Sequence, residues 1–512
     1  MVLRSRSDVG RLAHRLSVLG LVAIIEAVYV VVVSAGKPWP WPSYMAYYDL
    51  LAEGFRAGHL HIALEPPPEL LAAADPFDPR NARYWLGDVS LHGGHYYFYW
   101  GPVPGLIVAV VKSLFGLQQP FGDERLVLGF FSLSAVAGTA LLDQVRNRLF
   151  PRLPGWLFAL SVLAWGLGTP VPYLLASTSV YQAAISGGQG FLVLGLACAF
   201  SASRPGRAEV ARLTRLGLAG ASWVAAIGCR VSLAPAVGLL VVTTIALSEE
   251  TLRRPLLPRC WRDGVVLGTP VALGCGGLLL YNRLRFGAWL ESGVRLQLTG
   301  WPFRFSPRYI VANLHQYLFR PPILTCRFPY AVVPYGVDAA AALPGWIPFR
   351  DGYMTPEPLA GMAWAFPLVW AAPIAVVVGV SILRRRLRRE GVEPESESRA
   401  RWSRDLVWCV ASFGILSMVP WVAPLGLYLA TMRYLGDVRS GLGLLGALGL
   451  WALWGRASRR WQRRCAVGLG VGLTLTTIAL GLLLGFQGYT GHFRRFNPEL
   501  SARLERSLSV CD

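Results

Sequence analysis

The sequence predicts an all-α membrane protein that crosses the bilayer many times. Of its 512 residues, 54% are hydrophobic and only 15% are charged, whereas a soluble protein carries about 25% charged residues. Apolar runs of about 20 residues, long enough to cross a bilayer core as a helix, recur along most of the chain. The positive charges fall in short clusters between these runs, as in the cytoplasmic loops of membrane proteins. We therefore predict about 11–13 transmembrane helices.

The first apolar run and its flanks resemble a signal peptide. The run is longer than the apolar part of most signal peptides and further runs follow, so we predict a retained helix with a cytoplasmic N-terminus. The predicted spans are 17–34, 102–117, 125–142, 156–175, 183–200, 216–229, 232–248, 264–281, 359–383, 405–424, 438–455 and 466–486.

The basic clusters share one side of the membrane only if 102–142 makes an odd number of crossings. Either 102–117 dips into the membrane and returns, or the basic cluster at 143–155 lies on the other side; we favour the first. Two large segments, 35–101 and 282–357, then lie outside, together with the C-terminal tail. A charged cytoplasmic loop, 384–404, separates the module 1–383 from the helices and tail of 405–512.

The net charge of +20 would also suit a nucleic-acid-binding protein. The clustering of the arginines between apolar runs favours the membrane explanation, so we expect no nucleic-acid partner. The eight cysteines contain no CxxC pair and predict no metal site. Cys326 and Cys511 both fall in outer segments, which leaves a disulfide between them open.

The segment 44–104 is too long to be a simple connector. It holds four of the seven histidines, and seven acidic residues against three arginines. Ser43 is a candidate cap for an amphipathic helix over 44–55, on which Asp49 and Glu53 share a face. A partly desolvated carboxylate at the membrane surface can act as a general base. The alternative is two solvated acids on a polar face.

The end of this loop offers a second candidate site. Asp88, His92 and His95 lie within eight residues and could bind a metal, or the Gly-Gly between the histidines could form a plain hairpin. A divalent metal is therefore left open. Tyr97 and Tyr99 belong to an aromatic run that suits a membrane interface and also the wall of a sugar or lipid site.

Arginines dominate the second outer segment. Arg285 and Arg295 are candidates for bidentate recognition of a phosphate, against the alternative of ordinary solvated charge. Arg433 begins a late span and is a further candidate, although Asp437 lies four residues on and could pair with it.

These segments resemble the GT-C superfamily of membrane glycosyltransferases, in particular the protein O-mannosyltransferases and the lipid A aminoarabinose transferases. The likeness is carried by YDLLAEGFRAG at 48–58, HGGHYYFYWGP at 92–102, YNRLRFGAWLESGVRLQ at 281–297 and MRYLGDVRSGLGLL at 432–445. The chain departs from the aminoarabinose transferases, which have Glu-Lys before Pro-Pro where Tyr99-Trp100 stands here. A short turn near 173–181, which we also expect outside, lacks the acid that relatives carry there.

The resemblance implies a GT-C-like fold in a bacterial plasma membrane and a polyprenyl-phosphate-linked sugar as donor. The acceptor would be a lipid, glycan or protein hydroxyl, with Asp49 as the base. Glu53, Tyr97, Tyr99, Arg285, Arg295 and Arg433 would bind the substrates. Two other classes remain open, namely a transporter or flippase of lipid-linked sugars and a non-catalytic envelope assembly protein.

Overall fold

Helices form nearly all of the regular structure of the chain. The computed structural model describes residues 6–44, 46–247, 258–300, 304–333, 343–348, 351–354, 357–388, 396–489 and 491–511. Within these residues, eight helices are long and apolar enough to cross a membrane. The chain is therefore a multi-pass, all-α membrane protein, as predicted. The middle of the predicted cytoplasmic loop, 389–395, and residues 334–342 of the second outer segment lie outside the described residues.

The helices are α1 Arg6–Val33, α2 Tyr47–Arg56, α3 Pro68–Leu71, α4 Val103–Phe115, α5 Asp123–Leu149, α6 Gly155–Leu167, α7 Val171–Leu175, α8 Val180–Ala202, α9 Glu209–Cys229, α10 Ala234–Ala246, α11 Pro258–Phe286, α12 Ile310–Phe319, α13 Met362–Ala365, α14 Ala372–Arg388, α15 Glu397–Met418, α16 Val422–Gly426, α17 Gly436–Arg456, α18 Arg460–Gln487, α19 His492–Phe496 and α20 Pro498–Leu508. Two short antiparallel hairpins pair β1 Ser90–His92 with β2 His95–Tyr97, and β3 Ile323–Leu324 with β4 Ala331–Val332.

The basic clusters meet at one end of the helix bundle, which we call the arginine end. Near the start of α1, His14 is hydrogen-bonded to Asp143, with 2.7 Å between Nε2 and Oδ1. Arg148 donates to Ser203 at 3.2 Å, and the Trp402 indole donates to the Leu149 carbonyl at 3.0 Å. The sequence therefore correctly predicted that these clusters share one side.

The two long loops pack together at the opposite end, which we call the loop end. Ser90 and Gln297 form an antiparallel bridge, and the Leu298 N–H donates to the Val89 carbonyl at 2.8 Å. A disulfide between Cys326 and Cys511 ties the C-terminal tail to the second loop. The tail thus lies at the loop end, and the disulfide that the sequence left open is formed.

The helix α4 does not cross the bundle. Its 13 residues reach about 20 Å, less than the ~30 Å of a bilayer core. Lys112 near its end and Phe121 beyond it both bond Asp49 of α2. At its start, a Cβ on Gly101 would lie 1.9 Å from the Gly228 carbonyl oxygen, so only glycine permits this approach. Both ends of α4 therefore lie at the loop end of the bundle, and a dip of 102–117 into the membrane stays a prediction.

The helix α17 forms the centre of the bundle, with Gly436 to Ala452 buried. Small residues allow its neighbours to approach the backbone closely, as is common between membrane helices. A Cβ on Gly449 would lie 1.9 Å from the carbonyl oxygen of Ala371. This packing fixes the loop-end start of α17, where Arg433 and Tyr434 precede the helix.

Candidate active site

The helix α2 buries the acid that the sequence predicted as the base. Its apolar face packs inward through Tyr48, Leu51 and Ala52, each 0% exposed. Asp49 on the next position is also buried, at 6% exposure. The helix begins after Ala46, without a side-chain cap, so the predicted cap at Ser43 is wrong.

Asp49 is neutralised by Lys112 in a group that we call the Lys112 cluster, made of Asp49, Glu53 and Lys112. The Lys112 Nζ donates to Asp49 Oδ1 at 2.6 Å, and the Phe121 N–H donates to the same oxygen at 2.8 Å. Lys112 Nζ also lies 2.6 Å from Glu53 Oε1, and its side chain is 1% exposed. Hydrogen bonding from Lys112 lowers the pKa of Glu53. The reading of two solvated acids is therefore wrong for Asp49.

A second polar site, which we call the loop cavity, lies where the two loops meet the starts of α8 and α17. Its volume is about 580 Å³, within the range of cavities that hold a small ligand. The polar side chains on which its chemistry depends are Asp88, Tyr99, Tyr181, Gln297, Glu357 and Arg433.

Asp88 presents a carboxylate to the loop cavity. Its φ of +65° is left-handed, a conformation that Asp adopts more readily than most residues. The backbone is fixed by an Asp88 N–H bond to the Leu298 carbonyl at 3.2 Å. The Gln297 Nε2 donates to Oδ1 at 2.9 Å, and the Tyr181 hydroxyl donates to Oδ2. The bridge between the two loops therefore positions this acid.

Arg433 lies on the other side of Tyr181. Its guanidinium is 4.0 Å from the centre of the Tyr181 ring and 3.0 Å from Glu357 Oε1. Burial raises the pKa of Glu357, and Arg433 opposes that shift. Tyr181 therefore contacts both charged groups. Its hydroxyl bonds the Asp88 carboxylate, and its ring face packs against the Arg433 guanidinium.

The pairing of Arg433 with Asp437, which the sequence left open, does not occur. Asp437 instead accepts from Arg230 at 2.6 Å, and Arg433 pairs with Glu357. The turn from Thr431 to Gly436 points these two neighbours in different directions, since helical spacing begins only at α17.

Tyr99 lies in the loop cavity, while Tyr97 lies beside it. The Tyr99 hydroxyl accepts from Gln297 at 3.2 Å, and burial raises its pKa. The Tyr97 ring packs edge-on against Phe286, with ring centres 5.3 Å apart. The strand β2 ends at Tyr97, so Tyr99 does not follow the alternation of the strand.

Arg285 and Arg295 do not line the loop cavity. Arg285 is 5% exposed, donates to the Phe98 carbonyl and stacks on Tyr281 at 3.8 Å. It therefore joins α11 to the first loop. Arg295 is exposed, although its neighbour Val294 does line the cavity.

The side chains of Asp88, His92 and His95, a possible metal site in the sequence, each contact different partners. His92 packs on Phe286 with ring centres 5.6 Å apart, and His95 stacks on His61 at 4.3 Å. No group of three His, Cys, Asp or Glu side chains in the described part of the chain could hold a metal ion. The plain hairpin over 90–97 is formed.

An apolar cavity of about 650 Å³, which we call the apolar groove, opens next to Phe55 at the end of α2. It runs between α4, α9 and α11, with Phe55 and Tyr281 at one edge. Gly277 faces open space there, since a Cβ built on it meets no atom within 4 Å. The groove therefore leaves room for an apolar chain next to the polar loop end.

Sequence reasoning missed Lys112, Tyr181, Gln297 and Glu357. A signal existed for Lys112, because it is one of only two lysines among 49 basic residues and lies in an apolar run. The other three come from separate segments, and their approach depends on the tertiary fold.

Two solved structures resemble this chain over most of its length at low identity. The chain is similar to ArnT from Cupriavidus metallidurans bound to undecaprenyl phosphate, with a TM-score of 0.44, 15% identity, and 95% of this chain and 79% of that chain covered. It is also similar to the apo oligosaccharyltransferase of Archaeoglobus fulgidus, with a TM-score of 0.48, 11% identity, and 97% of this chain covered.

The likeness concerns the fold alone. The chain spans 60% of the length of the archaeal oligosaccharyltransferase. No protein-family model and no curated protein matches the sequence. Substrate and site residues must therefore be inferred from the cavities and side chains of this chain.

Proposed function

We propose that this protein transfers a sugar from a polyprenyl-phosphate donor to a hydroxyl acceptor at its loop end. One observation carries the proposal. Tyr181 joins the Asp88 carboxylate to the Arg433 guanidinium inside a cavity of about 580 Å³. A proton acceptor and an anion-binding group are both needed for glycosyl transfer from a phosphate leaving group.

In the proposed reaction, the acceptor oxygen attacks the anomeric carbon and its proton passes to a carboxylate. The bond from the anomeric carbon to the phosphate oxygen breaks, and the lipid phosphate leaves with that electron pair. Asp88 is our first candidate for the carboxylate because it lines the loop cavity. Asp49, which the family resemblance implies, is the second candidate, because Lys112 already neutralises it.

Arg433 would hold the leaving phosphate, since a guanidinium can make two parallel hydrogen bonds to it. Glu357 keeps this guanidinium in place before the donor arrives. The rings of Tyr99 and Tyr434 offer walls for a sugar, and the apolar groove offers a path for the polyprenyl chain. Because Arg433 lies beyond the charged loop, the proposed catalytic unit joins 1–383 with 405–512.

We place the loop end outside the plasma membrane in this proposal. The arginine end carries the clusters that membrane proteins keep in the cytoplasm. The Cys326–Cys511 disulfide at the loop end suits an oxidising compartment.

The test uses the purified chain in proteoliposomes with a panel of radiolabelled polyprenyl-phosphate sugars and a membrane extract as acceptor. We expect one donor to lose its sugar to the acceptor and to release polyprenyl phosphate. If every donor crosses the bilayer intact and none is consumed, the protein is a flippase and the proposal fails.

A further inference from the structure

The arginine end contains its own cavity, of about 480 Å³, which we call the arginine cavity. It lies where the ends of α8, α9, α10, α11 and α15 converge, far along the bundle from the loop cavity. Its charged lining residues are Arg204, Arg207, Glu209, Arg212, Asp263, Arg404 and Asp405. The proposed glycosyl transfer uses none of them.

The acids of the arginine cavity are already paired. Asp263 accepts from Arg212, and Glu209 lies against both Arg262 and Arg212, the latter at 3.6 Å. The third acid, Asp405, is 2.8 Å from Arg404 and 3.6 Å from Arg148. Glu209 and Asp405 are therefore each shared between two guanidiniums.

Two lining arginines have no acidic partner among the residues that the structure describes. They are Arg204 and Arg207, in the short loop between α8 and α9. Arg207 donates to the Ser201 hydroxyl at 3.1 Å, but its buried Nε has no hydrogen-bond partner in the described chain. Burial, together with Arg215 and Arg204, lowers the pKa of Arg207. This loop therefore holds uncompensated positive charge.

The charges do not cancel. Among the described residues that line the cavity, four guanidiniums, on Arg204, Arg207, Arg212 and Arg404, meet three carboxylates. Arg148 and Arg262, outside the lining, share two of these carboxylates. The loop cavity, by contrast, balances Asp88 and Glu357 against Arg433 and Arg495. An excess of guanidinium groups around a cavity is suited to a phosphate, which accepts several charge-assisted hydrogen bonds at once.

We propose that the arginine cavity binds a phosphate group, with Arg204 and Arg207 as its free ligands. An apolar wall of Leu216, Leu267 and Trp408 adjoins the arginines, so the phosphate can belong to an anionic lipid headgroup or to a free phosphate. This site goes beyond the proposed glycosyl transfer and does not depend on it.

The test measures the thermal unfolding of the purified full chain in a non-ionic detergent against three probes. These are inorganic phosphate, a short-chain phosphatidylglycerol and a short-chain phosphatidylcholine. A ligand that binds only the folded state raises the Tm with its concentration, which yields a Kd. We expect an anionic probe to raise the Tm and phosphatidylcholine to leave it unchanged.

The variants locate the site. Loss of one charge-assisted hydrogen bond should weaken binding about tenfold, so Arg207→Gln and Arg204→Gln should each raise the Kd by this factor. Arg207→Lys keeps the charge and should raise it less. Arg460→Gln, an exposed arginine at the same end outside the cavity, is the matched control. Unfolding of each variant without a probe checks its folding, and Arg207→Lys carries the test if Arg207→Gln is unstable.

The two anionic probes distinguish the sources of the phosphate. Binding of phosphatidylglycerol alone would identify a lipid headgroup, and equal binding of inorganic phosphate would identify a free phosphate. The proposal is overturned if neither anionic probe binds. It is equally overturned if the Arg204→Gln and Arg207→Gln changes together leave the Kd unchanged, or if Arg460→Gln weakens binding as much as they do.

Discussion

Asp49 and Asp88 lie in the same loop but in opposite surroundings. Asp49 is a buried helical residue whose charge Lys112 neutralises at 2.6 Å. Asp88 is half-buried in a left-handed turn, and in the described part of the chain it accepts from two neutral groups, the Tyr181 hydroxyl and the Gln297 amide. A buried acid that is paired with a cation contributes mainly to stability, because burying its charge without the cation would be costly. An acid that lines a cavity and is held by neutral donors has no cation of the protein beside it to compete with a substrate.

The largest expected effect concerns Asp88. Asn tolerates the same left-handed backbone, so Asp88→Asn removes the carboxylate without disturbing the turn. If Asp88 is the general base, the rate of sugar transfer should fall about 10²–10⁴-fold, as measured by initial rates in proteoliposomes.

Asp78→Asn is the matched control for this change, because Asp78 is half-buried in the same loop, outside the loop cavity, and pairs with Arg80. Its rate should stay at the wild-type value. A full rate in Asp88→Asn, with a large loss in a stably folded Asp49→Asn, would reverse the roles that we assign to the two acids.

The next effect should fall on stability. Lys112→Met leaves the Asp49 carboxylate buried without its cation, which typically costs about 3–5 kcal/mol. The free energy of unfolding, measured by denaturant titration in detergent micelles, should fall by this amount. Loss of the Lys112–Glu53 pair should add little to this decrease, because Glu53 is partly exposed and water screens the interaction.

The double variant Lys112→Met with Asp49→Asn separates structure from chemistry. It removes both charges, so most of the lost stability should return. Recovery of stability together with transfer activity would confirm a structural role for the Lys112 cluster. Recovered stability without activity would instead favour Asp49 as a catalytic group.

Acid should loosen the wall of the loop cavity. Burial lowers the pKa of His492 to about 4, and its Nδ1 is hydrogen-bonded to Tyr44, which lines that cavity, at 2.9 Å. An unfolded histidine has a pKa of about 6.5. The folded state therefore binds fewer protons, and its stability should fall by about 3 kcal/mol as the pH drops from ~6.5 to ~4.

His492→Phe removes the titrating group and serves as the reference for this measurement. The difference in unfolding free energy between the wild type and this variant should change across that pH window and be constant above it. A difference that is independent of pH would show that His492 is not the group that responds to acid.

The smallest expected effect concerns the apolar groove. Gly277→Leu places a side chain into the groove, where a Cβ meets no neighbouring atom. If the donor's polyprenyl chain lies there, the KM for the donor should rise about tenfold, which corresponds to ~1.4 kcal/mol of lost binding. The kcat should change little.

Gly276→Leu is the matched control, since its Cβ also meets open space but Gly276 does not line the groove. It should leave the KM unchanged. An equal rise in both variants would mean that the groove does not hold the donor.

The sequence by itself determined the membrane class and predicted that the basic clusters share one end of the bundle. These follow from local quantities, namely the length of apolar runs and the placement of arginine. It also directed attention to the loop that carries both acids, and named Tyr99 and Arg433, which do line the loop cavity.

Only the tertiary structure decided what surrounds each of these residues. Helical spacing put Asp49 and Glu53 on one face but could not reveal that Lys112, about 60 residues on, would neutralise them. The bridge that joins Ser90 to Gln297 and the approach of Tyr181 to both Asp88 and Arg433 link segments far apart in the chain. Such contacts depend on how the helices pack, and a local pattern carries no information about a partner that packing alone supplies.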